Sequence, residues 1–485
     1  MAQHVIRYRT ATTPDIQQQV DDTDALLARF AAIRAELHVP EEFPPQVLAE
    51  AATAVQAVVM PKRDASAVPF LTIDPPGSMD LDQALHIERA GDGYRVRYAI
   101  ADVPAFVAPE GAIDREARER VVTIYAPDRR APLHPPLMSE GAASLLPGQV
   151  RPAFVWDMTL DGDGEGTAVE VYRARVRSVD RFDYDGVQRD LDAGTGDGRL
   201  ALLREVGRRR VDLERRRGGA SLPMPEQEVT RDADGHFVLG LRPVLEVEDW
   251  NAQISLMTGM AAAELMIAGG VGILRTMPAP DGRAVERFRR QAQALGVPWQ
   301  QDESYGDFLR ARDRTDPRQL ALIHEATALF RGAGYTPFEG AEPAQPGHAA
   351  VAAPYAHVTA PLRRLVDRFG LVVCAAVSAG QPVPDWVRAA LPTLPALMEG
   401  GDTRANAVDR ACTNAVEAAL LASRVGERFA AVVVDRADSG ERVTVQIVDP
   451  AIVTQAAGAG ALGSEVEVRV TAADPRTGSV DVEVV

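Results

Sequence analysis

The chain has 485 residues, with 46% apolar residues, 25% charged residues and a formal net charge of −17. This length allows about two to four domains, and the composition is that of a folded globular protein rather than of a disordered or fibrous one. The negative net charge argues against a surface that is basic overall and binds polyanions, although it does not describe the charge of an individual cleft. The two cysteines, Cys374 and Cys412, lie in apolar patterns, which predicts buried free thiols and a reducing, cytoplasmic location.

Residues 1–60 are predicted to form a short helical element. Apolar residues recur at helical spacing in "DDTDALLARFAAIRAELHV", and a second helix is predicted at "QVLAEAATAV". Two short helices with a tight break are compatible with a helix-turn-helix.

Residues 61–424 are predicted to form an α+β body. The run "VPFLTID" indicates a strand, "ALHIERA" and "YRVRYAIADV" around Gly91-Asp92-Gly93 indicate a hairpin, and "IDREARERVVTIY" indicates a helix. Strands return at "AFVWDMTL" and "TAVEVYRARVRSV", and the chain is then mostly helical. The long apolar run "LMTGMAAAELMIAGGVGIL" contains Glu264 and several glycines, so a buried core helix is expected and no membrane contact.

Residues 425–485 are predicted to form a small barrel of the OB type. About five short alternating strands are packed into about 60 residues, which suits such a barrel. From Arg428 onward the block has nine acidic residues against five arginines, and its one aromatic residue is Phe429. Because such barrels stack bases on aromatic side chains, we expect only a modest grip on nucleic acid.

Three aspartates crowd the stretch "TIDPPGSMDLDQA". Asp80 and Asp82 are two apart, so their side chains point to the same side of an extended segment, and Asp74 comes from the preceding strand end. Such carboxylates repel one another unless a cation lies between them, and all-oxygen ligands favour Mg²⁺ or Mn²⁺. A solvated acidic turn is the alternative that the spacing leaves open.

An arginine-rich stretch, "YAHVTAPLRRLVDRFG", is the candidate partner of these carboxylates. We expect a helix to begin at Thr359 or Pro361, with Arg363 and Arg364 in its first turns. Hydroxyl and guanidinium groups at an exposed helix start can bind phosphate, and Mg²⁺ sites commonly serve phosphate chemistry.

Together, the two stretches resemble the ribonuclease II family of 3′→5′ exoribonucleases, whose catalytic region is the RNB domain. The family pattern T-I-D-x5-D-x-D-D-A is matched except at Gln83, and Y-x-x-x-T-S-P-I-R-R-Y-x-D is matched by "YAHVTAPLRRLVD" with Ala360, Leu362 and Leu365 as differences. The final block resembles the S1 domain of that family. The resemblance covers about residues 42–485.

This resemblance implies a two-metal hydrolysis of single-stranded or 3′-tailed RNA to nucleoside 5′-monophosphates, with Mg²⁺, or Mn²⁺ as a substitute. Asp82 would help to place the attacking water, and Arg363 would stabilise the charge on the scissile phosphate. The implied metal ligands are Asp74, Asp80, Asp82 and Gln83. The implied RNA contacts are Tyr125, Thr359, Arg364 and Asp409. The stacking phenylalanine of the family has no evident counterpart, and no protein partner is implied.

Two departures from the family bear on function. Gln83 has one negative charge fewer than the family aspartate, so a weaker second metal site or a preference for Mn²⁺ is expected. Residues 1–60 stand where the family usually carries two cold-shock barrels, so a more open path to the site is expected. Two other functions stay open: an RNA-binding protein with an inactive site, and a two-metal phosphodiesterase that acts on DNA or on a small nucleotide.

Overall fold

The computed structural model describes residues 18–19, 23–220, 226–231, 237–242, 244–313, 316–436, 441–447 and 452–485. After the short strand β1 (Gln18–Gln19), two helices follow, α1 (Thr23–Glu36) and α2 (Pro45–Ala57). Both were predicted, and both bury one face on the rest of the chain. The ring of Phe30 on α1 meets that of Phe237 edge to face at 5.2 Å. On α2, Glu50 accepts hydrogen bonds from the first amides of the third helix.

The centre of the body is a six-stranded mixed sheet. Its strands are β2 (Arg63–Asp64), β3 (Phe70–Ile73), β4 (Gln83–Ala90), β5 (Gly93–Ala101), β8 (Val150–Leu160) and β9 (Gly166–Phe182). Between β5 and β8 lie α3 (Ala112–Arg120), β6 (Ile124–Tyr125) and β7 (Arg130–Ala131). The order is β2-β9-β3-β4-β5-β8, and β8 also pairs with β9, so the sheet closes on itself.

The hairpin of β4 and β5 confirms the alternation predicted from the sequence. Ala90 pairs with Gly93 across the turn, and Gln83 pairs with Ile100 at the other end. Tyr94, Val96, Tyr98 and Ile100 are at most 1% exposed and line the core. The next helix is shorter than expected: α3 ends at Arg120, and Ile124 and Tyr125, the last two residues of the predicted helix, form β6.

Helices dominate the second half of the body, as predicted. They are α4 (Tyr184–Asp192), α5 (Gly198–Arg217), α6 (Glu246–Gly269), α7 (Gly282–Ala294), α8 (Tyr305–Arg310), α9 (Pro317–Glu325), α10 (Leu365–Ser378), α11 (Asp385–Ala390) and α12 (Leu394–Ala422). Short strands interrupt them: β10 (Glu226–Arg231), β11 (Phe237–Arg242), β12 (Val271–Thr276), β13 (Gly334–Glu339), β14 (Gly347–His348) and β15 (Ala353–Pro354).

The apolar run of the sequence forms α6 and the start of β12. By length and composition α6 could cross a membrane, yet half of its apolar window is buried inside the protein. Trp250, Ile254 and Met266 are among its core residues, which confirms the predicted core helix. Both cysteines are free and buried, as expected.

The C-terminal block is a closed five-stranded barrel. Its strands are β16 (Arg428–Arg436), β17 (Arg442–Ile447), β18 (Val453–Ala457), β19 (Glu465–Asp474) and β20 (Ser479–Val484), in the order β16-β17-β18-β20-β19. Phe429 is buried, so the one aromatic ring of the barrel belongs to the core. The barrel packs on α9 and α12, and His324 of α9 bonds Gln446 of β17 at 2.9 Å. The α+β fold with a C-terminal barrel is thus confirmed.

Candidate acid–arginine site

The aspartate loop, residues 74–83, leaves the sheet where β3 ends and returns as β4. The Asp74 amide donates to the Phe182 carbonyl at the end of β9. Gly77 adopts a φ of +80° in the turn after the two prolines, a value that glycine tolerates at no steric cost. The buried Leu81 then fixes the loop, because its amide donates to Ser144 Oγ at 2.9 Å.

Asp80 is held by an arginine that sequence reasoning did not single out. Arg130 Nη1 donates to Asp80 Oδ1 at 2.6 Å, while Nη2 lies 2.7 Å from Glu140 Oε1. Arg130 pairs with Tyr125 across the β6–β7 hairpin, which brings both residues to the loop. Two-residue strands leave almost no pattern in a sequence, and the doubled arginine of "DRRA" was the available signal.

Asp82 is the point where the two motifs meet. Its Oδ1 accepts the Leu362 amide at 2.7 Å, and its Oδ2 lies 3.6 Å from Arg363 Nε, although Asp82 and Leu362 are 280 residues apart in sequence. The carboxylate is 5% exposed. Burial raises the pKa of Asp82 well above its ordinary value, and Arg363 and the Leu362 amide offset only part of that cost. More positive charge is therefore needed to stabilise the ionised form.

The donor set fits a hard divalent cation, but the ligands do not yet converge. Across the ranges that the structure describes, no three His, Cys, Asp or Glu side chains form a group arranged to hold a metal. In this structure Asp80 bonds Arg130 and Asp82 bonds the Leu362 amide, so the meeting of the three carboxylates at one point stays a prediction. Asp80 must exchange Arg130 for a cation before the three can share one.

The arginine turn, residues 359–364, faces the aspartate loop and is fixed through its main chain. The Ala360 amide donates to Asp367 Oδ1 at 2.7 Å, and the Arg363 carbonyl accepts the Thr123 amide at 3.0 Å. The expected helix start is wrong: α10 begins at Leu365, and the two arginines precede it. The main-chain groups of the turn therefore form hydrogen bonds with Asp82, Asp367 and Thr123 instead of with one another in a helix.

The segment after α3 supplies part of that support. Val121 has φ 66° and ψ −46°, an uncommon backbone for a β-branched residue, and the Val122 amide bonds the Arg120 carbonyl across it at 2.8 Å. This tight turn stops the helix and sends the chain alongside the arginine turn. Val122 then pairs with Arg364, and Val121 accepts the Leu365 amide at 2.9 Å.

The two adjacent arginines have opposite environments. Arg363 keeps 37% of its side chain exposed beside Asp82. Arg364 is 7% exposed, and its Nε and Nη2 both donate to Asp367, the latter at 2.7 Å. The predicted RNA contact by Arg364 is therefore replaced by a structural one, because its guanidinium is buried in an ion pair.

Of the remaining predicted residues, one lies at the site and two have other surroundings. Tyr125 is close enough to Asp80 and Arg363 for their charges to act on it, and burial raises its pKa to about 12. Thr359 is 5% exposed, and its hydroxyl accepts Ser255 Oγ at 2.8 Å, so it too supports the turn rather than facing solvent. Asp409 lies on α12, close enough to Cys412 for its charge to act on that thiol.

Gln83, predicted as a metal ligand, has both ends of its amide bonded within the protein. Nε2 donates to the Thr359 carbonyl at 2.6 Å, and Oε1 accepts the Tyr98 hydroxyl at 2.7 Å. The amide therefore spans from the core hairpin to the arginine turn.

The fold and the site together define a protein with an α+β body, which carries an acid–arginine site, and a C-terminal S1-type barrel. The chain belongs to the RNB-domain family: the RNB domain matches residues 62–373. The RNase II-type exonuclease C-terminal S1 domain matches residues 427–485. The resemblance stated from the two sequence motifs is confirmed.

Curated relatives match over shorter stretches. The chain is 29% identical over 199 residues to Exoribonuclease 2 of Vibrio parahaemolyticus, which covers 41% of this chain and 30% of that protein. It is 35% identical over 153 residues to Ribonuclease R of Acidithiobacillus ferrooxidans, which covers 31% of this chain and 35% of that protein. The matches thus span about a third of these relatives.

A solved structure shows the same fold over nearly the whole chain. Mycoplasma genitalium RNase R in complex with ribose methylated single-stranded RNA superposes with a TM-score of 0.85 at 17% identity. The superposition covers 96% of this chain and 79% of that one.

Proposed function

We propose that the protein is a metal-dependent 3′→5′ exoribonuclease that hydrolyses RNA to nucleoside 5′-monophosphates. One observation carries the proposal: the buried Asp82 carboxylate meets the Leu362 amide and the half-exposed Arg363 in the RNB domain of the chain. The names of the relatives, Exoribonuclease 2 and Ribonuclease R, give RNA as the substrate class and support an exonucleolytic reaction.

The aspartate loop would hold Mg²⁺ or Mn²⁺. Asp74, Asp80 and Asp82 supply hard carboxylate oxygens, and a cation near Asp82 would provide the positive charge that its burial demands. When bound, such cations polarise a phosphoryl oxygen and lower the pKa of water. Asp82 would then be kept ionised and would orient the attacking water by accepting its hydrogen bond.

Arg363 would bind the scissile phosphate. Its guanidinium is next to Asp82 yet open to solvent over more than a third of its side chain, so a phosphate can approach it. A fixed guanidinium stabilises the charge that develops on phosphoryl oxygens, and a main chain that is already immobilised loses little entropy when substrate binds.

Tyr125 would pack against the 3′-terminal nucleotide. It is close enough to Asp80 and Arg363 for their charges to act on it, and it lies on the hairpin that also carries Arg130. Its phenol is neutral at physiological pH, as for an ordinary tyrosine, and burial raises its pKa further, so the ring carries no charge that would repel a phosphate. The barrel offers no exposed aromatic ring for the same purpose, since its one aromatic residue is buried.

End-labelled substrates test this proposal. Purified protein is incubated with 5′- or 3′-labelled single-stranded RNA and DNA, with Mg²⁺, Mn²⁺ or EDTA. We expect the 5′-labelled RNA to shorten from its 3′ end and the 3′ label to appear as a mononucleotide. EDTA and Asp82→Asn should abolish this, whereas Asp92→Asn, at the exposed hairpin turn, should not.

Two outcomes would replace the proposal with its alternatives. Retained RNA binding without product under any metal would indicate an RNA-binding protein with an inactive site. Equal degradation of DNA would indicate a phosphodiesterase that does not read the 2′-hydroxyl.

A further inference from the structure

Gln83 links the two halves of the site. Asp82 and Gln83 are consecutive, and they bind the arginine turn at two points, the Leu362 amide and the Thr359 carbonyl. Tyr98, which is 1% exposed on the neighbouring strand, donates to the other end of the Gln83 amide. The Gln83 amide is therefore fixed in the core by Tyr98, and it in turn fixes the arginine turn at the Thr359 carbonyl.

The amide side chain of glutamine satisfies both neighbours at once. The Thr359 carbonyl needs a donor and the Tyr98 hydroxyl needs an acceptor, and glutamine offers one of each. An aspartate, which the family pattern carries at this position, is an acceptor alone and is one methylene shorter. It would leave the buried carbonyl without its donor and place like partial charges together.

The link acts on the start of the turn that carries Arg363. Thr359 is buried, and the Arg363 amide in turn donates to the Ala360 carbonyl at 3.3 Å, so a shift at residue 359 passes along the turn. The far end of the turn is held separately by the Thr123 amide. Loss of the Gln83 bond would therefore remove the restraint on the Thr359 carbonyl, while the bonds from the Ala360 amide to Asp367 and from the Thr123 amide to the Arg363 carbonyl stay.

We propose that Gln83 is a positioning residue that sets the placement of Arg363 against the aspartate loop by holding the Thr359 carbonyl, and not a metal ligand. This inference rests on the proposed function, since Arg363 is taken to bind the scissile phosphate. It replaces the idea that glutamine at this position is a weakened metal ligand. The exchange from the family aspartate has then turned a charge into a structural link.

Three measurements on Gln83→Met and Gln83→Glu test the proposal: Mn²⁺ affinity by calorimetry, the thermal midpoint in EDTA, and kcat with KM on a short RNA. Gln188→Met is the matched control, because it also removes a glutamine amide that is bonded at both ends, and its partners, Asp192 and the Val247 amide, lie outside the arginine turn. For Gln83→Met we expect Mn²⁺ affinity within about twofold of wild type and a lower midpoint in EDTA. We expect kcat to fall by about tenfold to a hundredfold with KM nearly constant, as for a misplaced catalytic group.

The opposite pattern would overturn the proposal. If Gln83→Met weakened Mn²⁺ binding and left the midpoint in EDTA unchanged, or if Gln83→Glu tightened Mn²⁺ binding and kept kcat, position 83 would be a ligand. Should these variants fail to fold, Tyr98→Phe takes their place, because it keeps the buried ring and removes the hydroxyl that donates to the Gln83 amide. An unchanged kcat and midpoint in that variant would refute the link.

The proposal can fail separately from the proposed function. If the wild-type protein does not degrade RNA, the proposed function fails. The midpoint in EDTA and the Mn²⁺ affinity then still decide between a link and a ligand, since neither needs turnover.

Discussion

The aspartate loop and the arginine turn are both irregular segments, but they are held in different ways. The arginine turn is fixed by bonds to its main chain from buried or main-chain groups, including Asp82, Asp367 and the Thr123 amide. In the aspartate loop, Asp80 is instead held through its side chain by a partly exposed ion pair with Arg130. The first arrangement is independent of any ligand, whereas the second can exchange one cation for another.

The difference indicates how a site of opposite charges can be stable before it is complete. Like charges on the loop cannot be preassembled without a cation, so their side chains take temporary partners. The turn has no such restriction, and its arginine can be positioned in advance. Under the proposed function, the half that would bind phosphate is therefore held in advance, and the half that would bind a cation stays adjustable.

The largest expected effect comes from breaking the support of the turn. Arg364→Ala leaves the buried Asp367 without its partner, which should lower the free energy of unfolding by about 3–5 kcal/mol. Urea denaturation measures this value. A loss below about 1 kcal/mol would show that Asp367 finds other compensation and that the turn is less rigid than proposed.

The neighbouring arginine should behave in the opposite way. Arg363→Ala removes none of the main-chain bonds of the turn but takes a counter-charge from the buried Asp82, so we expect a loss of stability that is smaller than for Arg364→Ala. RNA turnover should fall by about 10²–10³-fold, the cost of losing one fixed group that stabilises transition-state charge. A variant that stays active would remove Arg363 from the chemistry.

A smaller effect is expected on the Mn²⁺ affinity of the aspartate loop. Arg130→Gln frees Asp80 from its competitor, so Mn²⁺ affinity should rise by about twofold to fivefold, in keeping with a partly exposed ion pair. Isothermal titration measures it. Arg129→Gln is the control, since that exposed arginine pairs with Glu41 instead. Equal affinities in both variants would mean that Arg130 does not compete for the loop.

The mildest effect should appear on acidification near neutrality. Burial lowers the pKa of His357 well below its ordinary 6.5, and Arg364 and Arg275 lower it further. Below about pH 6.5, His357 of the unfolded chain takes up a proton, whereas His357 of the folded chain stays neutral. The free energy of unfolding therefore decreases as the pH falls below about 6.5. His357→Gln should reduce the difference in unfolding free energy between about pH 7.5 and 5.5. An unchanged difference would assign the acid sensitivity to other groups.

Local patterns account for much of the fold and for part of the site. The β4–β5 hairpin follows from strict alternation around a glycine turn, and the barrel follows from the same alternation at short intervals. The limit of α3 could not be predicted in this way, because Val121 takes a positive φ in a turn whose carbonyl accepts the amide of Leu365, a residue distant in sequence. The same is true of Arg364, whose burial depends on Asp367 and on the fold around it.

By itself, the sequence determined which chemical groups the protein would bring to a phosphate: three aspartates in one loop and a pair of arginines far along the chain. Only the tertiary structure decided their roles. It exposed Arg363 and buried Arg364, paired Asp80 with Arg130, and placed the Gln83 amide between Tyr98 and Thr359. Residue type fixes what a side chain can donate or accept, whereas its partner and its contact with water depend on segments that are distant in sequence and meet only in the folded chain.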